Sequence, residues 1–361
     1  MAQILRRVAV SGLGLTLAAF FAFAGTASAQ GEVTVGGLVE VIGGASDHDA
    51  GFDGFDRGLF SRIAVGYSNT LDNGLDVAAN ITYLLNAGRG DNSTDQDRQG
   101  AVNYAPDVLY LSVGGGFGTV TIGHHAMADC AVMPRPITFV PGGVNATWYR
   151  HFSGLWGELS NVTFSSSNYC GTPTGISYST PSMGGLSAMV SYAPNYEASQ
   201  TQSLANAGDN EDYMAVAGKF SSSMGGMDIN LGASYQTGSD NFMDALGVAG
   251  TIGMGGATVG MSYYDNGDRS NGNYRAGTSG WNIGAKYALG SLTPSITYSA
   301  LELEADADEA SSDETALVIG ATYAVGGGMT VFAEYMALEV DMGDMPAADE
   351  TILMSGAIVS F

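Results

Sequence analysis

The chain has few basic residues and no long apolar stretch beyond its N-terminus. Its 361 residues include 12 Lys and Arg against 36 Asp and Glu, a formal net charge of −24. This shortage of cations excludes nucleic-acid binding through phosphate neutralisation. No segment after residue 29 approaches the roughly 20 apolar residues of a transmembrane helix, so an α-helical membrane protein is excluded. The chain also lacks G-x-S-x-G, H-E-x-x-H and P-loop motifs, and we predict no enzymatic activity.

The first 29 residues have the pattern of a secretory signal. Arg6 and Arg7 form a basic start, an apolar run follows from about Val8 to Ala24, and Ala27–Ala29 matches an A-x-A cleavage site. The apolar run is short for a membrane span. We therefore predict a signal peptide over residues 1–29 and one exported domain over residues 30–361. Loss of the two arginines leaves 10 basic against 36 acidic residues, a net charge of −26.

Cysteine is nearly absent. Cys130 and Cys170 are the two cysteines of the chain, and a disulfide can persist in an exported protein. We predict that they pair, and two independent free thiols are the alternative.

Apolar and polar or small residues alternate along most of the exported chain. From Leu75 to Tyr83, for example, the odd positions are apolar and the even positions are Asp76, Ala78, Asn80 and Thr82. A period of two predicts β-strands with one apolar face. We predict sixteen strands, near residues 32–42, 58–69, 75–86, 105–114, 118–125, 173–181, 186–194, 212–222, 227–237, 243–252, 256–265, 279–288, 292–302, 315–324, 329–339 and 351–361.

The connections separate a membrane barrel from a soluble sandwich, which alternates in the same way. Short glycine turns alternate along the chain with longer acidic connections. The turns include residues 182–185, 223–226 and 325–328, and the longer connections include 43–57 and 195–212. Short turns at one end and long loops at the other are typical of outer-membrane barrels. The sequence therefore predicts an all-β, transmembrane antiparallel β-barrel of sixteen strands.

Seven charged residues inside the predicted strands fall on the polar face. Such parity is expected because a Lys or Arg facing lipid costs roughly 2–4 kcal/mol at the bilayer midplane. A sixteen-stranded barrel with a polar interior holds water, so we predict that these residues line a pore. Seven tyrosines share the apolar face and predict an aromatic girdle at the membrane interfaces. The predicted pore-lining residues are Glu40, Arg62, Asp76, Lys219, Asp228, Lys286 and Glu334, and the tyrosines are Tyr67, Tyr83, Tyr235, Tyr287, Tyr298, Tyr323 and Tyr335.

These features together resemble the general bacterial porins, in the acidic, glycine-rich form of alphaproteobacterial porins. The resemblance rests on the signal sequence, the strand pattern, the glycine turns and a terminal strand, residues 351–361, that ends in Phe361. It implies an outer-membrane location, a homotrimer, and passive diffusion of small hydrophilic solutes and ions. It also implies that the barrel-assembly machinery reads Phe361.

One connection is much longer than the others, since about 47 residues separate the fifth and sixth predicted strands. Connections of this length are usually functional. The resemblance implies that this third loop folds into the lumen and forms the constriction, and a Cys130–Cys170 bridge would tie its ends together. Its ionisable residues are Asp129, Arg135, Arg150, His151 and Glu158. The excess of carboxylates predicts weak cation preference, as charged rings produce in other pores.

No cofactor is predicted to be required. The acidic first connection contains Asp47, Asp49, Asp53 and Asp56, which could bind Ca²⁺ weakly through carboxylate oxygens. A solvated acidic loop, or divalent ions that bridge the loop to lipopolysaccharide phosphates, are the alternatives. Three other functions stay open: a structural or adhesive barrel without channel activity, an outer-membrane enzyme, and a sugar-specific channel.

Overall fold

The strands of the chain form one closed antiparallel barrel. The computed structural model describes residues 31–47, 56–84, 107–132, 172–195, 211–239, 244–267, 277–304, 311–341 and 347–361, of which 56–60 and 84 are described by their backbone alone. Each strand pairs with the next one in sequence, and the first closes on the last. The strands are β1 (Glu32–Ser46), β2 (Asp56–Thr70), β3 (Asp76–Leu84), β4 (Val108–Gly115), β5 (Gly118–His124), β6 (Thr174–Ser179), β7 (Leu186–Asn195), β8 (Glu211–Met224), β9 (Met227–Ser239), β10 (Ala245–Met254), β11 (Ala257–Asp265), β12 (Thr278–Tyr287), β13 (Leu292–Leu303), β14 (Ser312–Gly326), β15 (Met329–Asp341) and β16 (Ala348–Ser360).

All sixteen predicted strands are confirmed, with differences at their ends. β1 continues to Ser46, four residues past the predicted end, because residues 43–46 pair with 352–355 of β16. A short helix, α1 (Ala128–Ala131), follows β5. Within the described ranges, no helix is long and apolar enough to cross a membrane.

Alternate residues of each strand point into and out of the barrel. In β15, Glu334 is 4% exposed and the adjacent Tyr335 is 40% exposed. The outer face carries exposed apolar side chains on almost every strand, among them Val35, Val248 and Ile283. An apolar outer surface and closed strand pairing suit a barrel solvated by lipid.

The predicted tyrosines all lie on the outer face, but not all at strand ends. Tyr298 and Tyr335 lie near the middle of β13 and β15. The aromatic residues Tyr263 and Trp281 also face outward and were not predicted; Trp281 contacts Tyr298 with ring centroids 5.5 Å apart. Whether a tyrosine lies at the membrane interface depends on its depth along the strand as well as on the face it occupies. The alternation in the sequence gives only the face.

The expectation of a uniformly polar inner face is wrong on one side of the barrel. β1, β11 and β13–β16 carry apolar side chains that point inward and are 4% exposed or less. We call this cluster the inner apolar patch; it comprises Ile42, Tyr264, Leu301, Ala316, Val318, Phe332, Met336, Leu338, Val340, Ile352 and Met354. Because the patch is buried, it is packed and does not face open water.

The short turns are built on glycines with positive φ. Gly225 and Gly328 have φ of +61° and +80°. A Cβ on Gly225 would meet nothing within 4 Å, whereas a Cβ on Gly328 would lie 2.0 Å from the carbonyl oxygen of Ser360. The backbones of Gly328 and Ser360 are held at this close distance, because the Gly328 carbonyl accepts a hydrogen bond of 3.0 Å from the Ser360 amide.

Gly328→Ala is expected to destabilise the barrel more than Gly225→Ala. Backbone strain alone costs about 1 kcal/mol at Gly225, and the clash with β16 raises the cost at Gly328 to about 3 kcal/mol. Urea unfolding of both variants in phospholipid vesicles measures the difference. Equal costs would show that the turn moves to relieve the clash.

Candidate pore-lining site

The strand register places all seven predicted pore-lining residues on the inner face. They differ in height along the barrel. Asp76 is the first residue of β3 and Asp228 the second residue of β9, each after a short turn. Each accepts a hydrogen bond across its hairpin, from Thr70 at 2.6 Å and from Ser223 at 2.5 Å. Lys286 also lies near the short-turn end, one residue before β12 ends. These three groups therefore surround one mouth of the barrel.

Glu40 and Arg62 lie deeper, on adjacent strands. Glu40 is opposite Phe60 and Arg62 is opposite Leu38, so the two residues are diagonal neighbours on the inner face. Arg62 also acts on Asp107, which immediately precedes β4. Burial raises the pKa of the Asp107 carboxyl, and the positive charge of Arg62 opposes part of that rise. Asp107 lies inside the predicted strand 105–114, but the sequence analysis did not single it out; the observed strand begins one residue later, at Val108.

Glu334 has unusual surroundings for a pore-lining carboxyl group. Its cross-strand neighbours are Gly320 and Met354, and Phe332 and Met336 flank it on β15. Neither carboxyl oxygen has a hydrogen-bond partner in the part of the chain that the structure describes. Burial of such a group carries a desolvation cost. Glu334 thus belongs to the edge of the inner apolar patch, and it does not project into open water.

The long connection begins against the inner wall. Met127 and Ala128 are fully buried among inward-facing residues of β7, β8 and β10, including Met189 and Ala215. The helix α1 contacts β7, β8 and β9. The start of the predicted constriction loop therefore lies inside the barrel, while residues 133–171 lie outside the described residues.

Asp129 is held by a tyrosine from the wall. The Tyr213 hydroxyl donates a hydrogen bond of 2.6 Å to Asp129 Oδ1, and Gln236 Oε1 lies 3.4 Å from the same hydroxyl. Burial raises the pKa of Asp129 to about 6, although the hydrogen bond from Tyr213 lowers it. Asp129 was predicted, but Tyr213 and Gln236 were not. Their inward parity was readable from the sequence, whereas their contact with residue 129 depends on the fold.

A second chain of hydrogen bonds runs beneath the same turn. The Ala128 amide donates to Ser191 Oγ at 2.9 Å, Ser191 and Ser177 are 2.8 Å apart, and Ser177 Oγ is 2.6 Å from His125 Nε2. His125 Nδ1 lies 3.0 Å from the Gly123 carbonyl oxygen. Because that oxygen can only accept, Nδ1 carries a proton, and in the neutral ring Nε2 then accepts from Ser177. His124 points to the outer face, opposite Leu109 and Thr174, so the two histidines do not share a site.

The remaining predicted loop residues cannot be placed. Arg135, Arg150, His151, Glu158 and Cys170 lie outside the described residues. Cys130 is disulfide-bonded.

The described residues do not bring the predicted calcium ligands together. Asp47 Oδ1 accepts a hydrogen bond of 2.7 Å from the Thr351 amide, so it caps the end of the β1–β16 pair. Asp49 and Asp53 lie outside the described residues, and of Asp56 only the backbone is described. No group of three potential metal ligands occurs among the residues that were described.

Phe361 completes the junction of the first and last strands. Its amide and carbonyl both bond to Gly37, at 3.1 and 2.9 Å, and its exposed ring lies where a Cβ on Gly37 would be. The terminal residue is therefore paired with β1 and presents its ring on the outer face.

Comparison with known proteins agrees with this architecture. The profile of the Gram-negative porin family matches residues 14–343. The chain belongs to the Gram-negative porin family. This porin is thus an outer-membrane channel protein and not an enzyme. No curated protein sequence matches it.

Solved structures share the porin's fold at low sequence identity. The anion-selective porin from Comamonas acidovorans is 16% identical, with a TM-score of 0.59 over 92% of this chain and 100% of that one. The trimer form of OmpT from Vibrio cholerae is 15% identical, with a TM-score of 0.61 over 92% and 99%. A mutant of the Rh. blastica porin is 19% identical, with a TM-score of 0.60 over 91% and 100%.

Proposed function

We propose that this porin is a homotrimeric channel for passive diffusion of small hydrophilic solutes and ions, with weak cation preference. The observation that carries the proposal is the start of the long connection, which packs on the inner wall of a closed sixteen-stranded barrel. Sixteen strands leave an aqueous lumen, and a segment inside it narrows the path for solutes. The trimer form of the Vibrio cholerae relative supports the assembly.

The carboxylates of the connections, added to a balanced set of charges on the inner wall, support cation preference. Carboxylates at Glu40, Asp76 and Asp228 face the lumen alongside Arg62, Lys219 and Lys286, and further carboxylates lie in the connections. The anion-selective Comamonas acidovorans porin shares only the fold at 16% identity. Selectivity in this porin therefore depends on its own side chains.

The reversal potential in a KCl gradient is expected to have the sign of a cation-preferring channel, and Arg62→Ser is expected to increase that preference. A unit charge about 10 Å from an ion in water changes its energy by about 0.4 kcal/mol, which is about a twofold change in occupancy. Glu40→Gln is the matched variant and should shift the ratio in the opposite direction. Anion-selective reversal in the unmodified porin would refute the selectivity, and silence from folded protein would refute the channel and favour a structural barrel.

Further features belong to the same proposal. Residues 1–29 are removed on export, residues 30–361 form the barrel, and the assembly machinery reads Phe361. Cys130 bonds to Cys170, the other cysteine of the chain; intact-mass analysis with and without reductant tests this pair.

The acidic connections contact lipopolysaccharide, with weak Ca²⁺ binding near Asp47. Calorimetric titration with Ca²⁺ tests the binding.

A further inference from the structure

The first turn of the long connection is attached to the barrel wall through two groups that can titrate near neutral pH. We propose that Asp129 and His125 are positioning residues that make the docking of residues 125–132 on the inner wall depend on pH in opposite directions. Docking is then firmest at mildly acidic pH and weaker on either side. The effect of docking on the ion current through the barrel rests on the proposed channel function, whereas the docking itself does not.

Asp129 connects the turn to β8. Its carboxyl group is 4% exposed and accepts the Tyr213 hydrogen bond at 2.6 Å. Tyr213 is itself fully buried and belongs to the same apolar cluster as Met127 and Ala128. Release of the turn would therefore return the carboxyl group to water and leave the Tyr213 hydroxyl without this acceptor.

His125 connects the turn to β6 and β7. When the imidazole is neutral, the hydrogen bonds run in one direction, from the Ala128 amide through Ser191 and Ser177 to His125 Nε2. This direction requires a neutral imidazole, because a protonated ring would present a donor at Nε2. Ser177 would then accept from the ring and turn its own hydroxyl toward Ser191, and the imidazolium charge would lie at a position where His125 is only 5% exposed.

Few other titratable groups within the described ranges face this region. On the inner face of β8, Glu211 lies on the long-loop side of Tyr213 and Lys219 on the short-turn side. The described inner positions of β7 include no titratable side chain, and Asp228 on β9 lies at the far, short-turn end. His125 faces Tyr110 of β4, with ring centroids 6.3 Å apart, and follows His124.

The two groups have opposite signs. The pKa of Asp129 is raised from an ordinary value of 3.8 to about 6 by burial. Docking therefore favours the neutral acid: its contribution is complete below about pH 4 and is lost as the pH rises through 6. The pKa of His125 is lowered, chiefly by burial and also by His124, while the Gly123 bond opposes the shift. Its contribution is complete above pH 6.5 and is lost as the pH falls through the lowered value.

Hydrogen exchange measures docking without reference to current. In the His125→Gln variant only the Asp129 effect remains, and the protection of residues 125–132, corrected for intrinsic rates, should be about tenfold higher at pH 5 than at pH 7.5. In Asp129→Asn this rise should be absent, and protection should fall in acid because only His125 titrates. A pH-independent profile in His125→Gln, or a rise retained in Asp129→Asn, would overturn the proposal.

Two tyrosine variants separate the anchor from general packing. Tyr213→Phe should lower protection of residues 125–132 at pH 7.5, whereas Tyr264→Phe, a similarly buried inward tyrosine on β11, should leave it unchanged. Equal effects of both would show that the barrel wall as a whole, and not the Tyr213–Asp129 bond, controls docking.

Open-channel current noise in Asp129→Asn should become insensitive to pH between 7.5 and 6. A silent channel with the expected exchange profile would reject the channel and keep the anchor.

Discussion

Replacing Val248 with arginine is expected to lower the free energy of unfolding in a lipid bilayer by roughly 2–4 kcal/mol. Val248 lies near the middle of β10, faces outward and is 40% exposed. Its cross-strand neighbours, Ala233 and Tyr263, face the same surface. In the membrane this surface contacts hydrocarbon, so a guanidinium there loses its hydration unless the side chain reaches an interface.

The matched control is Thr251→Arg on the same strand. Thr251 points inward between Asn230 and Gly260, and it is only partly buried. An arginine at this position should cost about 1 kcal/mol or less, because the lumen face keeps the charge near water. Reversible urea unfolding in phospholipid vesicles compares the two variants. A cost at Val248 no larger than at Thr251 would mean that the outer face of β10 does not contact lipid hydrocarbon.

The strand count and the two faces were predictable from the sequence because each follows from local pattern. A period of two reports which residues share a face, and the glycine turns report where the chain reverses. Arg62, Lys219 and Lys286 could be assigned to the inner face on parity alone, and the register agrees. Strand ends were less predictable, since the extension of β1 to Ser46 depends on its pairing with β16.

The inner apolar patch was not predictable in this way. In β15 the inward positions include Met336, Leu338 and Val340, while Tyr335 and Ala337 face outward. The next outward residues are Glu339 and Asp341, so the polar phase of the alternation moves to the outward face in this half-strand, and the parity of Glu334 does not identify a polar inner face there. The charged residue on the inner side of β15, Glu334, suggested a wet wall because it was considered without its neighbours.

The constriction was predictable as a segment but not as a set of contacts. Asp129 stood out as an ionisable residue in a long connection, yet its hydrogen-bond donor, Tyr213, is 84 residues away. Ser177 and Ser191 are ordinary small residues of predicted strands, and their role depends on His125 reaching across to them. Closure of the barrel creates these contacts, and no spacing within the sequence encodes them.

The second large effect is expected from Met336→Ala, which should cost roughly 2–5 kcal/mol of unfolding free energy. Met336 points into the barrel, is 0% exposed, and lies between Val318 and Ile352 on the neighbouring strands. Truncation removes buried apolar surface and leaves a cavity that the paired strands cannot close. An inward methionine on a water-filled wall would lose far less.

Met261→Ala provides the comparison, because Met261 faces outward on β11 and is 59% exposed. Its truncation should cost about 1 kcal/mol or less when both variants are unfolded with urea in phospholipid vesicles. Similar small costs would show that the inner apolar patch is hydrated in the folded protein. A large cost at Met336 alone would show that this side of the barrel is packed as a core. The solute path would then lie away from β13–β16, nearer the walls that carry Arg62 and Lys219, so their charges would weigh more in selectivity than that of Glu334.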